Sequence, residues 1–170
     1  MISCTLVSPS DAITIERATA HHADGILECL SSAFESYRSA YTAAGYEDTV
    51  LTRESLLRRL EEMTVLVAVN GCGRVVGTVA YKVLDHAEGH LRGMAVRPER
   101  LATGIADELL ERAEAELAKQ GCSRFSLDTT QPLKRAIAFY ERHGYRPSGK
   151  VQDFFGMPLI EYVKLSESGN

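Results

Sequence analysis

Residues Leu91–Leu110 read LRGMAVRPERLATGIADELL: an apolar strand, a bend containing Pro98, a loop of small residues, and then an amphipathic helix. That order makes an anion site. The first backbone N–H groups of a helix lack intrahelical partners, and the helix dipole favours negative charge beside them. Ala102, Thr103, Gly104 and Ala106 are small enough to let a phosphate approach the backbone. Gly104 can also take a φ that bulkier residues avoid.

Working outward, the C-terminal half alternates helix and strand. The helix that opens near Ile105 runs to about Gln120, with Leu109, Leu110 and Ala113 on its core face and Gly121 as a predicted C-cap. A strand follows at Arg124–Asp128, then a helix over Lys134–His143 closed by Gly144, then two strands ending at Leu165. Upstream, Val65–Val69, Val75–Leu84 and Gly89–Val96 read as strands, with Asn70-Gly71-Cys72-Gly73 as a hairpin turn. Ile13–Ile15 is a short first strand. Helical spacing covers Ala23–Tyr37 and Thr52–Met63, the latter with Leu56, Leu57 and Leu60 toward the core. Tyr37–Val50 reads as a loop or a broken helix. The expectation is an α/β fold: one three-layer domain over residues 1–170, with a mixed, mostly antiparallel sheet of about six or seven strands flanked by about four helices. Residues 1–11 read as a loose leader and 166–170 as a polar tail.

Composition bounds the partners. The chain has 170 residues, 45% of them hydrophobic and 25% charged, with a formal net charge of −4. That balance argues against bulk attraction to nucleic acid or anionic membranes, while leaving a phosphorylated small molecule open, because backbone amides carry no formal charge. Arg92, Arg97 and Arg100 cluster around the candidate loop in sequence. Cys4, Cys29, Cys72 and Cys122 form no CxxC pair, so no metal site is expected and a reduced, cytoplasmic setting is the simplest reading. No apolar run approaches the roughly 20 residues of a membrane span, and the N-terminus carries no secretion-signal pattern.

Val96, Pro98, Gly104 and Ala106 fit the pattern Val-x-Pro-x-x-(Arg/Gln)-x-x-Gly-x-(Gly/Ala), and Ala136, Phe139, Tyr140, Gly144 and Tyr145 fit Ala-x-x-(Phe/Leu)-Tyr-x-x-x-Gly-(Phe/Tyr). In these two segments, and in the elements around them from Ile13 to Leu165, the chain resembles the GNAT superfamily of N-acetyltransferases. It departs from the family where Leu101 replaces an Arg or Gln and where Leu133 replaces a frequent Asn. Thr129 or Thr130 could substitute for that Asn.

The resemblance implies an acyl-CoA-dependent N-acetyltransferase using acetyl-CoA as cosubstrate and the primary amine of a small molecule or peptide as acceptor. It places the pantetheine arm along Met94, Ala95 and Val96, and the pyrophosphate on the N–H groups of Leu101, Ala102, Thr103, Gly104, Ile105 and Ala106. Tyr140 falls where the family has a hydroxyl near the sulfur; a packed core aromatic is the competing reading. Acetyl transfer needs a neutral amine, a stabilised oxyanion and a leaving thiolate. A phenol of pKa about 10 facing a thiol of about 8.5 would act as a hydrogen-bonding partial acid, full transfer being uphill by roughly 2 kcal/mol.

Glu88 and His90 are candidate bases, Asp128 is a third, and a mechanism without a dedicated base stays open. His21, His22, His86 and His143 read as surface residues. Phe34, Tyr37, Tyr41 and Tyr46, with Glu35, Glu47 and Asp48, and later Asp153, Phe154 and Phe155, either line an acceptor pocket suited to a cationic amine or simply pack on the core. A non-catalytic acyl-CoA-binding sensor on the same fold is the alternative function, and homodimers, common in proteins of this kind, are an open expectation.

Overall fold

The computed structural model describes residues 11–167; the leader over residues 1–10, Cys4 and the last three residues of the tail lie outside them. Among the described residues, seven strands form one sheet in the order β1-β2-β3-β4-β5-β7-β6. They are β1 (Thr14–Arg17), β2 (Thr64–Val69), β3 (Val75–Val83), β4 (Glu88–Val96), β5 (Arg124–Thr130), β6 (Arg146–Phe154) and β7 (Met157–Leu165). Helices α1 (Ala23–Phe34), α2 (Ala43–Val50) and α3 (Arg53–Glu62) precede β2, while α4 (Ile105–Lys119) and α5 (Lys134–Arg142) flank β5 in sequence. The segment Tyr37–Val50 resolves into the end of a 3₁₀ turn, Glu35–Ala40, followed by α2. α1 therefore stops at Phe34, short of Tyr37.

Alternation along the strands sends apolar side chains to both faces. On β2, Val65 and Val67 join Ile26, Leu30 and Leu56 beneath α1 and α3. Leu66 and Ala68 join Leu109, Leu110, Leu117, Phe139 and Tyr140 beneath α4 and α5. Leu57 differs from its expected role: it is 37% exposed, because Leu56 and Leu60 hold the core side of α3. Leu109 is fully buried, so Leu109→Ala leaves a cavity and is expected to lower stability by about 2–5 kcal/mol. A urea melt with unchanged slope and a lower midpoint checks this.

Local chemistry sets the element ends. Asn70 Oδ1 accepts from the N–H groups of Cys72 and Arg74 and closes the β2–β3 hairpin. The Thr52 hydroxyl accepts from Ser55 N–H at 3.2 Å and the Ser55 hydroxyl accepts from Thr52 N–H at 2.9 Å, capping α3. α4 and α5 both end on a left-handed glycine. Cys122 N–H donates to Leu117 O and Gly121 N–H to Ala118 O, and Tyr145 N–H donates to Tyr140 O and Gly144 N–H to Glu141 O. The second of these caps fixes Tyr145 against Tyr140, with ring centroids 5.9 Å apart.

Two irregularities in β4 open the molecule. Between Thr78↔Ala95 and Ala80↔Arg92, Gly93 and Met94 together stand opposite Val79, a β-bulge with Gly93 at φ 67°. On its other edge β4 pairs with β5 in parallel only from Glu88↔Arg124 to Leu91↔Leu127. Beyond that point the strands part, although β4 continues to Val96 and β5 to Thr130.

Candidate active site

The parting of β4 and β5 forms part of a cavity of about 600 Å³, which also reaches the loop before α4, the side of α5 and the turn after α1. Met94, Ala95, Val96, Leu101, Ala102, Gly104, Ile105, Ala106, His90 and Tyr140 all line it. Thr103 does not, because its hydroxyl turns back to the carbonyl of Arg100.

The loop before α4 leaves its backbone amides free. Among the described residues, no acceptor takes the N–H groups from Ala102 to Asp107; the first paired amide is Glu108, which donates to Gly104 O. Leu101 N–H is already used, donating to Pro98 O at 3.3 Å, so it lies outside the free run. Gly104 has φ 87° and a Cβ there would meet nothing within 4 Å, so its outward side is open. Ala102 also sits in the left-handed region, at φ 60°, which costs an L-residue roughly 1–2 kcal/mol and is the kind of strain found at ligand sites.

The arginines sort differently from their grouping in sequence. Arg97 is 4% exposed and donates through Nε to Val75 O, so it serves the core. Arg92 is held by Asp48 at 2.8 Å. Arg100 does line the cavity, 3.6 Å from Asp11. Arg135 and Arg142 on α5 line it as well, positions that no motif marks.

Tyr140 is buried, its ring edge-on to Phe139 at 5.4 Å, and its hydroxyl has no hydrogen-bond partner among the described residues. Burial pushes its phenol well above the ordinary value. Such a group donates a hydrogen bond but parts with its proton reluctantly. Thr129, 3% exposed and lining the same cavity, holds a buried hydroxyl without a partner. Thr130 is occupied, at 2.7 Å from the Tyr41 hydroxyl. Orphaned polar atoms facing a cleft, together with the free amides, fit a long ligand bearing phosphates and amides.

The candidate bases separate. Glu88 pairs with Arg124 and lines only a second, polar cavity of about 560 Å³, so it does not meet Tyr140 in the first. His90 lines both. Its Nδ1 lies 3.0 Å from Ser126 Oγ and its Nε2 3.7 Å from Asp128 Oδ2. Burial lowers the His90 pKa, against the pull of Asp128, and burial raises that of Asp128, against the pull of His90. Of the other histidines, His143 bonds Asp107 at 2.8 Å and His22 bonds Glu16 at 2.9 Å; both are half-buried rather than fully exposed surface residues.

Of the aromatic group, Phe34, Tyr37, Tyr41 and Phe154 reach the cavity. Tyr46 instead packs in the core, under Arg38 at 4.8 Å, and Phe155 is 50% exposed. No group of three His, Cys, Asp or Glu side chains among the described residues could hold a metal ion, and no helix among them is long and apolar enough to cross a membrane.

The family model for the acetyltransferase (GNAT) family matches residues 26–145, which include both the amide-rich loop and Tyr140. The chain belongs to this family. An amino-acid acetyltransferase of Pseudomonas putida is 31% identical over 149 residues, covering 85% of this chain and 30% of that protein. An amino-acid acetyltransferase of Pseudomonas fluorescens is 34% identical over 98 residues, covering 57% of this chain and 21% of that one. The chain thus spans less than a third of the length of these relatives. In fold it resembles the PaiA N-acetyltransferase of Thermoplasma acidophilum, solved in complex with coenzyme A, with a TM-score of 0.75 at 20% identity over 91% of this chain and 99% of that one. The ribosomal-protein-S18-alanine N-acetyltransferase of Escherichia coli has a TM-score of 0.72 at 19% identity, over 93% and 97% of the two chains. This GNAT fold is the three-layer α/β architecture expected from the strand and helix order.

Proposed function

We propose that this GNAT protein is an acyl-CoA-dependent N-acetyltransferase that moves acetyl from acetyl-CoA to the primary amine of a small molecule or peptide. One observation carries the reading: the free amides before α4, the unpartnered Tyr140 hydroxyl and the half-buried His90 open on one cavity. The name of the Pseudomonas relatives supports an amino acid as acceptor.

Bound acetyl-CoA supplies an acyl group activated as a thioester. The N–H groups of Ala102, Gly104, Ile105 and Ala106 hold its diphosphate, assisted by Arg100, Arg135 and Arg142, which line the same cavity. The β5-facing edge of β4 at Met94–Val96 offers backbone groups to the pantetheine arm, and the Thr129 hydroxyl supplies a further polar contact. Tyr140 stays protonated at working pH and donates a hydrogen bond to the departing sulfur. His90 takes the amine proton at Nε2 in the tautomer that carries its proton on Nδ1, toward Ser126 Oγ at 3.0 Å, and the Asp128 carboxylate 3.7 Å from Nε2 then stabilises the imidazolium that forms.

Free thiol release from acetyl-CoA, measured against a panel of amines, tests the reaction. Tight coenzyme A binding without release across the panel would leave the sensor reading in its place. The base has its own signature. Burial disfavours the imidazolium, so His90 is neutral, and competent, down to a pH below the ordinary value of about 6.5. Activity limited by this group is lost only as pH falls through that lowered value. His90→Gln should reduce kcat about 100-fold and erase the acid limb while coenzyme A affinity is unchanged; an intact limb in the variant excludes His90 as the base.

A further inference from the structure

Arg59 is the cation that the proposed transfer leaves unused. It stands on α3, three residues beyond the buried Leu56, and its Nη1 lies 2.7 Å from where a Cβ on Gly93 would be. The guanidinium thus rests against the backbone of the β4 bulge. Gly93 suits the place doubly, since its φ is 67° and any side chain would displace the arginine.

No carboxylate oxygen among the described residues comes within the 4.0 Å of an ion pair with Arg59, nor does its guanidinium make a hydrogen bond. The carboxylates around it are engaged elsewhere. Asp48 holds Arg92 at 2.8 Å, Asp128 faces His90 at 3.7 Å, and Glu88 and Glu161 share Arg124. Glu62, one turn along α3, is exposed and outside ion-pair distance. Burial and the nearby Arg92 lower the Arg59 pKa to about 10, against the pull of Asp48, so it remains cationic at neutral pH. A cation half withdrawn from water without a carboxylate in direct contact is costly, and an anion bound against it lowers that cost.

Position says where such an anion comes from. Asp48, Arg59, His90, Arg92, Asp128 and Gln152 line both the cavity holding the loop and Tyr140 and the second, polar cavity, and so form the wall between them. His90 and Arg59 face the same junction. We propose that Arg59 is a specificity-determining residue that binds a carboxylate on the acceptor, making the substrate an amino-carboxylate whose amine reaches His90. The inference rests on the acetyl-transfer reading and sharpens its acceptor. The planar guanidinium presents paired N–H donors that match a carboxylate, which a lysine would not reproduce. The second cavity, whose lining mixes Lys82 and Lys150 with Glu62 and Glu161, adjoins Arg59 and leaves room for the acceptor's side chain.

The experiment compares L-amino acids with their own carboxamides as acceptors, pair by pair, in the native protein, Arg59→Met and Arg59→Lys. The native protein should favour the acid over its amide by about 10- to 100-fold in kcat/KM, the effect of a hydrogen bond to a charged partner. In Arg59→Met the ratio should fall toward one, chiefly through a raised KM for the acid, with coenzyme A affinity kept; Arg59→Lys should fall between. Because each ratio is taken within a single protein, partial misfolding cancels. Equal use of acid and amide by the native protein, or a preference that survives in Arg59→Met, overturns the assignment. If neither member of any pair is acetylated, acetyl transfer itself has failed and the carboxylate reading falls with it.

Discussion

Gly104→Glu should abolish coenzyme A binding, weakening it by about 100-fold or more, since like charges brought together at an interface cost several kcal/mol. Gly104 carries the left-handed turn that launches α4, and its missing side chain faces open space in the middle of the run of free amides. A glutamate there sets a carboxylate where the diphosphate is proposed to sit. It also places an L-residue at φ 87°, a strain of roughly 1–2 kcal/mol that is separate from the electrostatic effect. Gly104→Asn tells the two apart, because asparagine tolerates that backbone and adds no charge. Calorimetric titration of both variants should show binding kept in Asn and lost in Glu. Unchanged affinity in Gly104→Glu means that the diphosphate lies elsewhere.

Tyr140→Phe should lower kcat about 10- to 100-fold, the scale of a hydrogen bond to a charged partner, with little change in thermal midpoint. The two halves of this prediction have different origins. The ring is locked between Phe139 and Tyr145, and phenylalanine keeps that packing. The hydroxyl bonds nothing among the described residues, so its removal strands no internal partner. Since burial raises the phenol further above a thiol of about 8.5, complete proton transfer is less favourable than for an exposed tyrosine. A solvent isotope effect on kcat close to one would agree with hydrogen bonding rather than transfer. A variant as fast as the native protein reduces Tyr140 to a packing residue.

Much of the scaffold was legible from local rules. Gly121 and Gly144 end their helices with the bonds expected of left-handed caps, and Asn70-Gly71-Cys72-Gly73 forms the hairpin its residues demand. Periodicity states which face of an element is buried, not which neighbour covers it. For that reason neither the insertion of β7 between β5 and β6 nor the early end of the β4–β5 pairing could be read from spacing. Long charged side chains were the least legible. Arg97 looks like a loop cation and is a core residue. Arg59 sits in the run Arg58-Arg59-Leu60-Glu61-Glu62, whose charges resemble a solvated helix surface; only its spacing from Leu56 and Met63 hinted at an inward path. Glu88 and His90 are two residues apart and share a strand face, yet the parallel neighbour supplies Arg124 to one and Ser126 to the other.

The early divergence of β4 from β5 also fixes a measure of length. Under the proposed transfer, a donor clamped at the start of α4 delivers its reactive end to Tyr140 and His90 only if its tether spans the interval between those landmarks. Short activated acyl compounds, however reactive, arrive without an anchor or fall short of the mark. On the proposed reading, selectivity for the carrier would act as a ruler, independent of which acyl group rides at its tip.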